Sequence, residues 1–306
     1  MAARSPHTAR SQPVQLRLAA VQMRFASDLA GNLARIEKAL RTAARRRADV
    51  VLFPECAITG YHFNFATLRP TELQIALAQV AAWAAQHCLN VLIGSPFFHG
   101  RHLRNCLVVF DRMGRVTYVY AKCQLTEMDR RIFTPGDAIA LFEVDGIPAT
   151  AIICHERRYP ELVRLAVMAG ARLLFHPNAG LDSLAVSKRK RGGRDGIAVR
   201  AFENAIPYVF ANSVGPQGDG KWSAGDSKIV GADGRCLRLA DNRREAVIVA
   251  DVDLRQATGK YALESLGSPR FLGPSWRRMV ALVQRRARRE ATLARRTLQQ
   301  MDPIRA

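Results

Sequence analysis

Long apolar runs are missing from this sequence of 306 residues. No segment reaches the roughly 18–20 uninterrupted apolar residues that a membrane-spanning helix needs. The opening stretch, MAARSPHTARSQPVQ, also lacks the apolar core of a secretory signal. We therefore expect a cytoplasmic protein without a membrane partner, with a disordered basic tail over residues 1–14. A short organellar transit peptide is the alternative, because that tail contains Arg and Ser and no acid.

Cysteine is sparse, and its six occurrences include no CxxC pair: Cys56, Cys88, Cys106, Cys123, Cys154 and Cys236. A chain of this length with scattered cysteines is typical of reduced thiols rather than of a disulfide framework. Most of these residues should serve as small apolar filler. A separate argument is therefore needed before any of them is interpreted as a nucleophile.

Acidic residues are outnumbered: 26 Asp and Glu stand against 46 Lys and Arg, which gives a net charge of +20. Most of the excess lies in the first 17 residues, in Lys188–Arg194 and in residues 277–305. The chain has no zinc-finger spacing, no RNP-like aromatic strand and no clear helix-turn-helix. We interpret the charge as solvated tails plus a basic loop, and do not expect nucleic acid as a partner. An anionic substrate or a nonspecific polyanion remains open.

Strand-like and helix-like patterns alternate between about residue 15 and about residue 255. QLRLAAVQM alternates as a strand, and DLAGNLARIEKALRTAARRRA has helical spacing. Hairpins are predicted at three turn dipeptides, Met113–Gly114, Asp145–Gly146 and Asp233–Gly234. This mixture of strand–helix–strand units and hairpins predicts an α/β protein with mixed sheets covered by helices. Residues 271–306 are expected to form a basic helical extension.

Cys154, His155 and Glu156 stand side by side where an apolar run ends. A zinc site is not expected, because HERRY has Tyr159 where an HExxH motif needs its second histidine. A thiol–imidazole pair is disfavoured because adjacent side chains diverge on a strand or sharp turn. The flanking Ile153 and His155 also lack the small size that a glutaminase-type elbow normally needs.

Cys154 is predicted to lie on a strand-to-helix connection. TAIIC is strand-like, and Pro160 suits the first turn of the helix PELVRLAVMAG. Backbone N–H groups and the positive end of a helix dipole would favour a thiolate there. From this stretch alone, a buried core cysteine that ends a strand remains the alternative.

Two other apolar strands also end in a reactive group. Glu55 follows Phe53–Pro54, and Lys122 ends the aromatic strand YVYAK. Taken singly, Glu55 could be a surface residue at a strand end and Lys122 a lysine that extends its head to water. A carboxylate, an ammonium and a thiol at three strand ends are harder to dismiss, because strand ends converge at one edge of a sheet.

Three motifs in this order resemble the nitrilase superfamily, the carbon–nitrogen hydrolases that act on amides, nitriles and carbamoyl groups. They are FPECAITGY, YAKCQLTEMDRRIFTPGD and IICHERRYPELVRLAVMAGARLLFHPNA. NAIPYVFANSVG and GDSKIVGADGR are similar to the family's later strands. The resemblance implies a four-layer α-β-β-α sandwich over residues 15–270. It also implies assembly as a homodimer or a larger homo-oligomer.

The same resemblance implies a mechanism without metal or cofactor. Cys154 would be the nucleophile and Glu55 the general base. Lys122 and the backbone N–H of His155 would stabilise the oxyanion. The family often has a second glutamate after the lysine, and this register gives Asp129, with Glu127 two residues earlier. The remaining pocket candidates are Tyr61, Asn178 and Arg158, whose guanidinium would hold a substrate carboxylate or pair with Glu161 or Glu156.

The expected activity is hydrolysis of a small amide or N-carbamoyl compound through a Cys154 thioester. Nitrile hydrolysis is the nearest alternative within the superfamily. From other classes, a catalytically idle binding or scaffold protein, or a polyanion-binding protein with basic tails, would also fit parts of the sequence.

Overall fold

The computed structural model describes residues 15–61, 64–190, 197–267, 273–275, 277–279, 281–282 and 285. The tail predicted over residues 1–14 and most of the extension predicted over residues 271–306 lie outside this set. The compact unit whose architecture follows ends at Ala262. Within the described residues, no helix combines the length and the apolar character needed to cross a membrane.

The strands in chain order are β1 (Gln15–Gln22), β2 (Val50–Leu52), β3 (Asn90–His99), β4 (His102–Phe110), β5 (Val116–Ala121), β6 (Phe142–Val144), β7 (Ile147–Ala151), β8 (Leu173–Asn178), β9 (Asp182–Ser183), β10 (Tyr208–Asn212), β11 (Val214–Pro216), β12 (Lys221–Ala224), β13 (Lys228–Val230), β14 (Cys236–Leu239) and β15 (Ala246–Asp253). The α-helices are α1 (Leu29–Arg45), α2 (Pro70–His87), α3 (Pro160–Met168), α4 (Leu184–Lys190), α5 (Val199–Phe202) and α6 (Lys260–Gly267). Short 3-10 helices cover Phe65–Thr67, Asp129–Arg131, Cys154–Arg158 and Leu254–Gln256.

Two six-stranded sheets dominate the fold. The first has the order β15-β1-β2-β3-β4-β5, and the second has the order β14-β13-β10-β8-β7-β6. Each sheet is mixed: β1, β2 and β3 run parallel while β3, β4 and β5 form an antiparallel meander. In the second sheet β7, β8 and β10 are parallel. A small third sheet, β11-β12-β9, was not predicted from the sequence.

Three apolar layers hold the elements together. The inner faces of the two large sheets meet in one layer, where Leu92 of β3 and Phe175 of β8 are buried. α1 and α2 cover the outer face of the first sheet, and α3 and α5 cover that of the second. The amphipathic pattern explains this arrangement, because helices bury one apolar stripe against a sheet. The predicted four-layer α-β-β-α sandwich is confirmed.

The prediction of a basic loop over Lys188–Arg194 is wrong for its first part. Lys188, Arg189 and Lys190 form the last turn of α4, and residues 191–196 lie outside the described set. The Ser187 hydroxyl of α4 donates to the Trp222 carbonyl of β12 at 2.9 Å. This contact with the unexpected third sheet gives the basic stretch a surface to pack on, which the local composition did not reveal.

Candidate active site

Glu55, Lys122 and Cys154 each follow a strand, but the strands belong to two sheets. Glu55 comes after β2 and Lys122 after β5, both in the first sheet, whereas Cys154 comes after β7 in the second. β2 and β5 run in the same direction because two antiparallel pairings separate β5 from β3. The expectation that one sheet edge gathers all three groups is therefore wrong: two facing sheets contribute to one cavity.

Lys122 and Glu55 form a buried ion pair. Both side chains are only 1% exposed, and Lys122 Nζ lies 2.8 Å from Glu55 Oε1 and 2.8 Å from Asp129 Oδ2. Burial acts to lower the pKa of Lys122, but the charges of Glu55 and Asp129 raise it above its usual value. Lys122 is thus a cation at neutral pH. Two of its three N–H hydrogens serve these carboxylates, which leaves one for a ligand.

The Tyr61 hydroxyl joins the two carboxylates. It lies 2.9 Å from Glu55 Oε1 and 3.0 Å from Asp129 Oδ1, and it accepts a hydrogen bond from Asn105 Nδ2 at 2.8 Å. A phenol has one proton, so it donates to only one carboxylate at a time. Asn105 Nδ2 also donates to Glu55 Oε1 at 2.8 Å, and the Ala179 N–H donates to Glu55 Oε2 at 3.0 Å. Glu55 is therefore fixed on both oxygens.

Asp129 and Glu127, the two candidates for the second acid, occupy different places. Asp129 is buried, and the charge of Lys122 overcomes burial and holds its pKa below the usual value. The Thr126 N–H donates to Asp129 Oδ2 at 3.0 Å. Glu127 has a side chain that is 91% exposed, and lies 3.6 Å from Arg131 at the cavity mouth. The structure brings Asp129, and not Glu127, against Lys122.

Cys154 begins the 3-10 helix with a φ of 50°. A residue other than glycine in this left-handed region is strained, and strain of this kind is common at reactive sites. The elbow that the bulky neighbours Ile153 and His155 seemed to disfavour is therefore present. α3 begins at Pro160, as predicted, and Cys154 lies on the connection between β7 and that helix.

The expectation of a resting thiolate is wrong. Burial of the thiol, followed by the negative charge of Glu55, raises the pKa of Cys154 to about 12, although Lys122 and Arg157 act in the opposite direction. The thiol is therefore protonated at neutral pH. An attack by this sulfur needs a base at the moment of reaction.

Glu156 holds the turn that bears Cys154 and does not line the cavity. Its carboxylate is fully buried and accepts hydrogen bonds of 2.7 to 3.1 Å from the backbone N–H groups of Ile153, Cys123 and Gln124 and from the Tyr120 hydroxyl. It thereby links the residue before Cys154 to the residue after Lys122. Glu156 therefore supports the start of the 3-10 helix and does not belong to the lining of the cavity.

Two supporting residues, Asn105 and Gly94, were missed in the sequence. Asn105 is a buried polar residue within the apolar strand RNCLVVF, which was the available signal. Gly94 lies on β3, where a Cβ would collide with the Pro54 carbonyl oxygen and come within 2.5 Å of Glu55 Cα. Only glycine lets β3 approach the segment that carries Glu55.

The cavity has a volume of about 570 Å³. All the sequence-predicted site residues line it: Glu55, Tyr61, Lys122, Glu127, Asp129, Cys154, His155, Arg158 and Asn178. The His155 ring lies edge-on to Tyr159, 5.8 Å away. Asn178 is buried, and its Nδ2 donates to Asn212 Oδ1 at 2.8 Å. These contacts place His155 at the wall of the cavity and Asn178 within a buried amide network.

Two guanidinium groups at the cavity, Arg157 and Arg158, have no ion-pair partner among the described residues. Arg158 pairs with neither Glu161 nor Glu156, because Glu156 is bound to backbone N–H groups and Glu161 forms no ion pair in the described ranges. Arg157 is half-buried and close enough to act on the pKa of Cys154. The other cations of the lining are compensated, for example Lys190 by Asp182 at 2.6 Å. The mouth therefore carries an excess of positive charge.

Metal-ligating side chains do not cluster in the described ranges: no group of three or more His, Cys, Asp or Glu residues is arranged to hold a metal ion. All six cysteines are free thiols, and Cys88 and Cys236 are exposed.

The family model described as carbon-nitrogen hydrolase matches residues 17–260. Over 272 residues the chain is 26% identical to N-carbamoylputrescine amidase of Arabidopsis thaliana, which covers 79% of this chain and 88% of that protein. Over 216 residues it is 27% identical to 2-oxoglutaramate amidase of Bacillus subtilis, which covers 69% of this chain and 81% of that protein.

Solved structures of an amidase from Nesterenkonia sp. AN1 have the same fold. A cysteine-to-serine variant, described as belonging to the nitrilase superfamily, superimposes with a TM-score of 0.72 at 25% identity, over 85% of this chain and 97% of that one. Another variant, with the acetamide moiety of fluoroacetamide added covalently at its active-site cysteine, superimposes with a TM-score of 0.73 at 24% identity, over 85% of this chain and 96% of that one.

Proposed function

The chain belongs to the carbon–nitrogen hydrolase family of the nitrilase superfamily, and from that premise we propose that Cys154, Glu55 and Lys122 carry its reaction. The protein is a hydrolase of carbon–nitrogen bonds other than peptide bonds and works through a cysteine intermediate. The proposal assigns that cysteine to Cys154. Its substrate is a small amide or N-carbamoyl compound with an anionic group.

Acylation begins with a proton transfer from the Cys154 thiol to Glu55. The sulfur attacks the carbonyl carbon, and the carbonyl π electrons move to the oxygen. The free N–H hydrogen of Lys122 and the backbone N–H of His155 donate to that oxyanion. The charge of Lys122 acts strongly because the ammonium is buried and already oriented by two carboxylates.

Glu55 next returns the proton to the departing nitrogen. The tetrahedral intermediate collapses, the C–N bond breaks, and ammonia or an amine leaves behind a thioester on Cys154. Glu55 then takes a proton from a water that attacks the thioester carbon. Collapse of the second intermediate releases the acid, and the proton goes back to the sulfur. Asp129 and Tyr61 position Lys122 and Glu55 throughout.

The observation that carries this proposal is the buried Glu55–Lys122 pair in the cavity that Cys154 lines. Burying two charges costs several kcal/mol per ion before pairing, so the arrangement is a weak choice for stability alone. Strongly shifted pKa values in one cavity are typical of functional sites. The raised pKa of Cys154 also calls for a base, and Glu55 lines the same cavity.

The charge of the cavity mouth favours an anionic substrate. Arg157 and Arg158 are uncompensated within the described residues, and a guanidinium binds a carboxylate through two parallel hydrogen bonds. Of the two relatives above, 2-oxoglutaramate amidase is named for a substrate with a carboxylate and N-carbamoylputrescine amidase for one with an amine. The excess positive charge would repel a protonated amine, so we infer a carboxylate-bearing amide or N-carbamoyl acid.

The test is an ammonia-release screen with wild type, Cys154→Ala and, as a matched control, Cys236→Ala at an exposed thiol outside the cavity. The panel contains ω-amides of dicarboxylic acids, N-carbamoyl amino acids, N-carbamoyl diamines and nitriles. We expect turnover of the carboxylate-bearing amides or carbamoyl acids, its loss in Cys154→Ala and its retention in Cys236→Ala. Unchanged turnover in Cys154→Ala would overturn the assignment of the nucleophile.

The same screen separates the substrate classes. Arg157→Gln should raise KM for carboxylate-bearing substrates by about 10-fold or more, since one good charge-assisted contact contributes about 1.5–3 kcal/mol. Preference for N-carbamoyl diamines, or consumption of the nitriles alone, would contradict the inferred substrate class while leaving Cys154 as the nucleophile.

Compartment and assembly are further parts of the proposal. Six free thiols suit a reducing compartment, which supports the expectation of a cytoplasmic protein. Exposed apolar side chains on α3 and α5 support assembly as a homodimer or larger homo-oligomer.

A further inference from the structure

We propose that His176 is a positioning residue that orients the Cys154–His155 peptide group, and with it the backbone N–H that stabilises the oxyanion. The inference rests on the proposed function, because it assumes attack by Cys154. It concerns a buried histidine for which the reaction scheme above has no use. His176 lies on β8, the strand next to β7 in the second sheet.

Both ring nitrogens of His176 have a partner. Nε2 lies 3.1 Å from the backbone carbonyl oxygen of Cys154, and Nδ1 lies 2.5 Å from the hydroxyl oxygen of Tyr208 on β10. The side chain is fully buried. Burial lowers the pKa of His176 well below its usual range, and the positive charge of Arg157 acts in the same direction. The ring is therefore neutral and carries one proton.

The partners decide which nitrogen holds that proton. A carbonyl oxygen only accepts, so Nε2 must carry the hydrogen to bond with Cys154. Nδ1 is then the acceptor, and the Tyr208 hydroxyl donates to it. Hydrogen bonds therefore run from Tyr208 to His176 and from His176 to Cys154, which fixes the tautomer with the proton on Nε2.

The Cys154 carbonyl and the His155 N–H belong to one trans peptide unit and point in opposite directions. A bond that holds the carbonyl therefore also sets the direction of the N–H. Donation to the carbonyl oxygen polarises the peptide and makes its N–H a stronger donor. Cys154 itself has a φ of 50°, so the residue that carries this peptide group is in a strained conformation that the surrounding contacts must hold.

A purely structural role for His176 is the alternative. Its ring centroid lies 5.0 Å from that of Phe210 and 5.9 Å from that of Tyr208, so it also fills space in the second sheet. The two roles predict different chemistry. Loss of packing would disturb every reaction of Cys154, whereas loss of the carbonyl bond would disturb only reactions that form an oxyanion.

The experiment compares two reactions of the Cys154 thiol. 4-Nitrophenyl acetate acylates the sulfur through a tetrahedral oxyanion and releases nitrophenolate. Iodoacetamide alkylates it by direct displacement of iodide, without an oxyanion. Both need the same sulfur, and mass spectrometry of the Cys154 peptide confirms the labelled position in each case.

The variants are His176→Phe, His176→Gln and His176→Asn, with Phe210→Leu as the packing control. Phe keeps an aromatic ring and removes the donor. Gln places an amide N–H near the position of Nε2, while the shorter Asn reaches only the position of Nδ1. If His176→Phe fails to fold, the Gln and Asn pair still separates the two roles at similar polarity.

In His176→Phe and His176→Asn, acylation should slow about 10- to 100-fold. This effect should not exceed the effect on the rate of removing one oxyanion donor entirely. The alkylation rates of the same two variants should change by less than about threefold. Acylation of His176→Gln should stay within about fivefold of the wild-type rate. Phe210→Leu should slow acylation and alkylation equally or leave both unchanged. Equal slowing of both reactions in His176→Phe and His176→Asn, or no effect of any His176 variant, would overturn the proposal. Acylation that persists in Cys154→Ala would instead overturn the proposed function.

Discussion

At the scale of single residues, Glu55 acts on Cys154 in two opposite ways. As a negative charge it raises the pKa of the thiol in the resting protein. As a base it would remove the thiol proton when a substrate is attacked. The first effect suppresses reactions of the free sulfur with adventitious electrophiles. In the proposed mechanism, the second would restore reactivity only in the presence of a substrate whose oxyanion Lys122 stabilises.

Glu55→Gln should therefore raise the rate at which Cys154 is alkylated and lower the rate of turnover. Removal of the carboxylate lowers the pKa of Cys154 and so increases the fraction of thiolate. Alkylation by iodoacetamide should become about tenfold faster for each unit by which that pKa falls. Turnover should fall about 10²- to 10⁴-fold because the base is lost. In wild type the alkylation rate should rise steadily from pH 7 towards pH 10, since the thiol pKa of about 12 lies above that range.

The measurement is alkylation of the Cys154 peptide, followed by mass spectrometry so that the exposed Cys88 and Cys236 do not contribute. Cys236→Ala serves as the control and should match wild type in both rates. Parallel slowing of alkylation and turnover in Glu55→Gln would contradict this prediction, because it would mean that Glu55 already activates the thiol in the resting protein.

At this scale the sequence indicates the proposed reacting groups more readily than the residues that hold them in place. Glu55, Lys122 and Cys154 are charged or nucleophilic side chains at the ends of apolar strands, and such conflicts are visible in a linear pattern. Asn105 and His176 act through partners about 50 and 22 residues away along the chain. Those pairings depend on strand order and register, which no local pattern contains.

At the scale of elements, the close approach of β3 to the Glu55 segment requires Gly94. We expect Gly94→Ala to cost about 1–3 kcal/mol of stability, because the new Cβ meets backbone atoms that cannot yield. Displacement of Glu55 by about 1 Å should also lower kcat/KM roughly 10²-fold. Thermal unfolding and turnover of the same preparation test the two effects.

Gly100→Ala on the adjoining turn is the matched control. Nothing lies within 4 Å of a Cβ at Gly100, but its φ of 58° makes alanine unfavourable there by about 1–2 kcal/mol. It should therefore lower the stability while leaving kcat/KM within about twofold of wild type. If Gly94→Ala retained full turnover, the contact with the Glu55 segment would have no catalytic importance.

Most helices, strands and hairpins could be predicted from the sequence. The Asp145–Gly146 hairpin is formed as expected, with φ values of 50° and 76° at the two residues. α4 was missed because seven residues ending in Lys188–Lys190 give little helical periodicity without the strand β12 to pack on. The division of the site between two sheets was missed for a similar reason, since strand order is a property of the assembled core.

At the scale of the whole molecule, α3 and α5 leave apolar side chains uncovered. Leu165, Val199 and Phe202 are each about half exposed, with Phe202 at 58%. If these helices form the proposed homodimer contact, Phe202→Asp should weaken the dimer at least about tenfold, as truncation of an aromatic anchor does. Light scattering across a dilution series measures this directly.

Ile75→Asp is the control for that experiment. Ile75 is 68% exposed but lies on α2, in the opposite outer layer. The Ile75→Asp variant should have the same molar mass in solution as the wild type. Dissociation caused by Ile75→Asp, or a Phe202→Asp variant with the wild-type mass, would contradict assembly through α3 and α5.

The proposed reacting groups follow strands of two different sheets, so the packing between the sheets determines how these groups align. A slip of one sheet over the other would separate the sulfur from its base while leaving the strand pairings inside each six-stranded sheet intact. Leu92 and Phe175 are buried between the sheets and do not line the cavity. Their packing would nevertheless maintain the alignment of Glu55 with Cys154. In a urea titration, turnover should vanish before the far-ultraviolet signal changes, and a coincident loss of both would speak against such a slip.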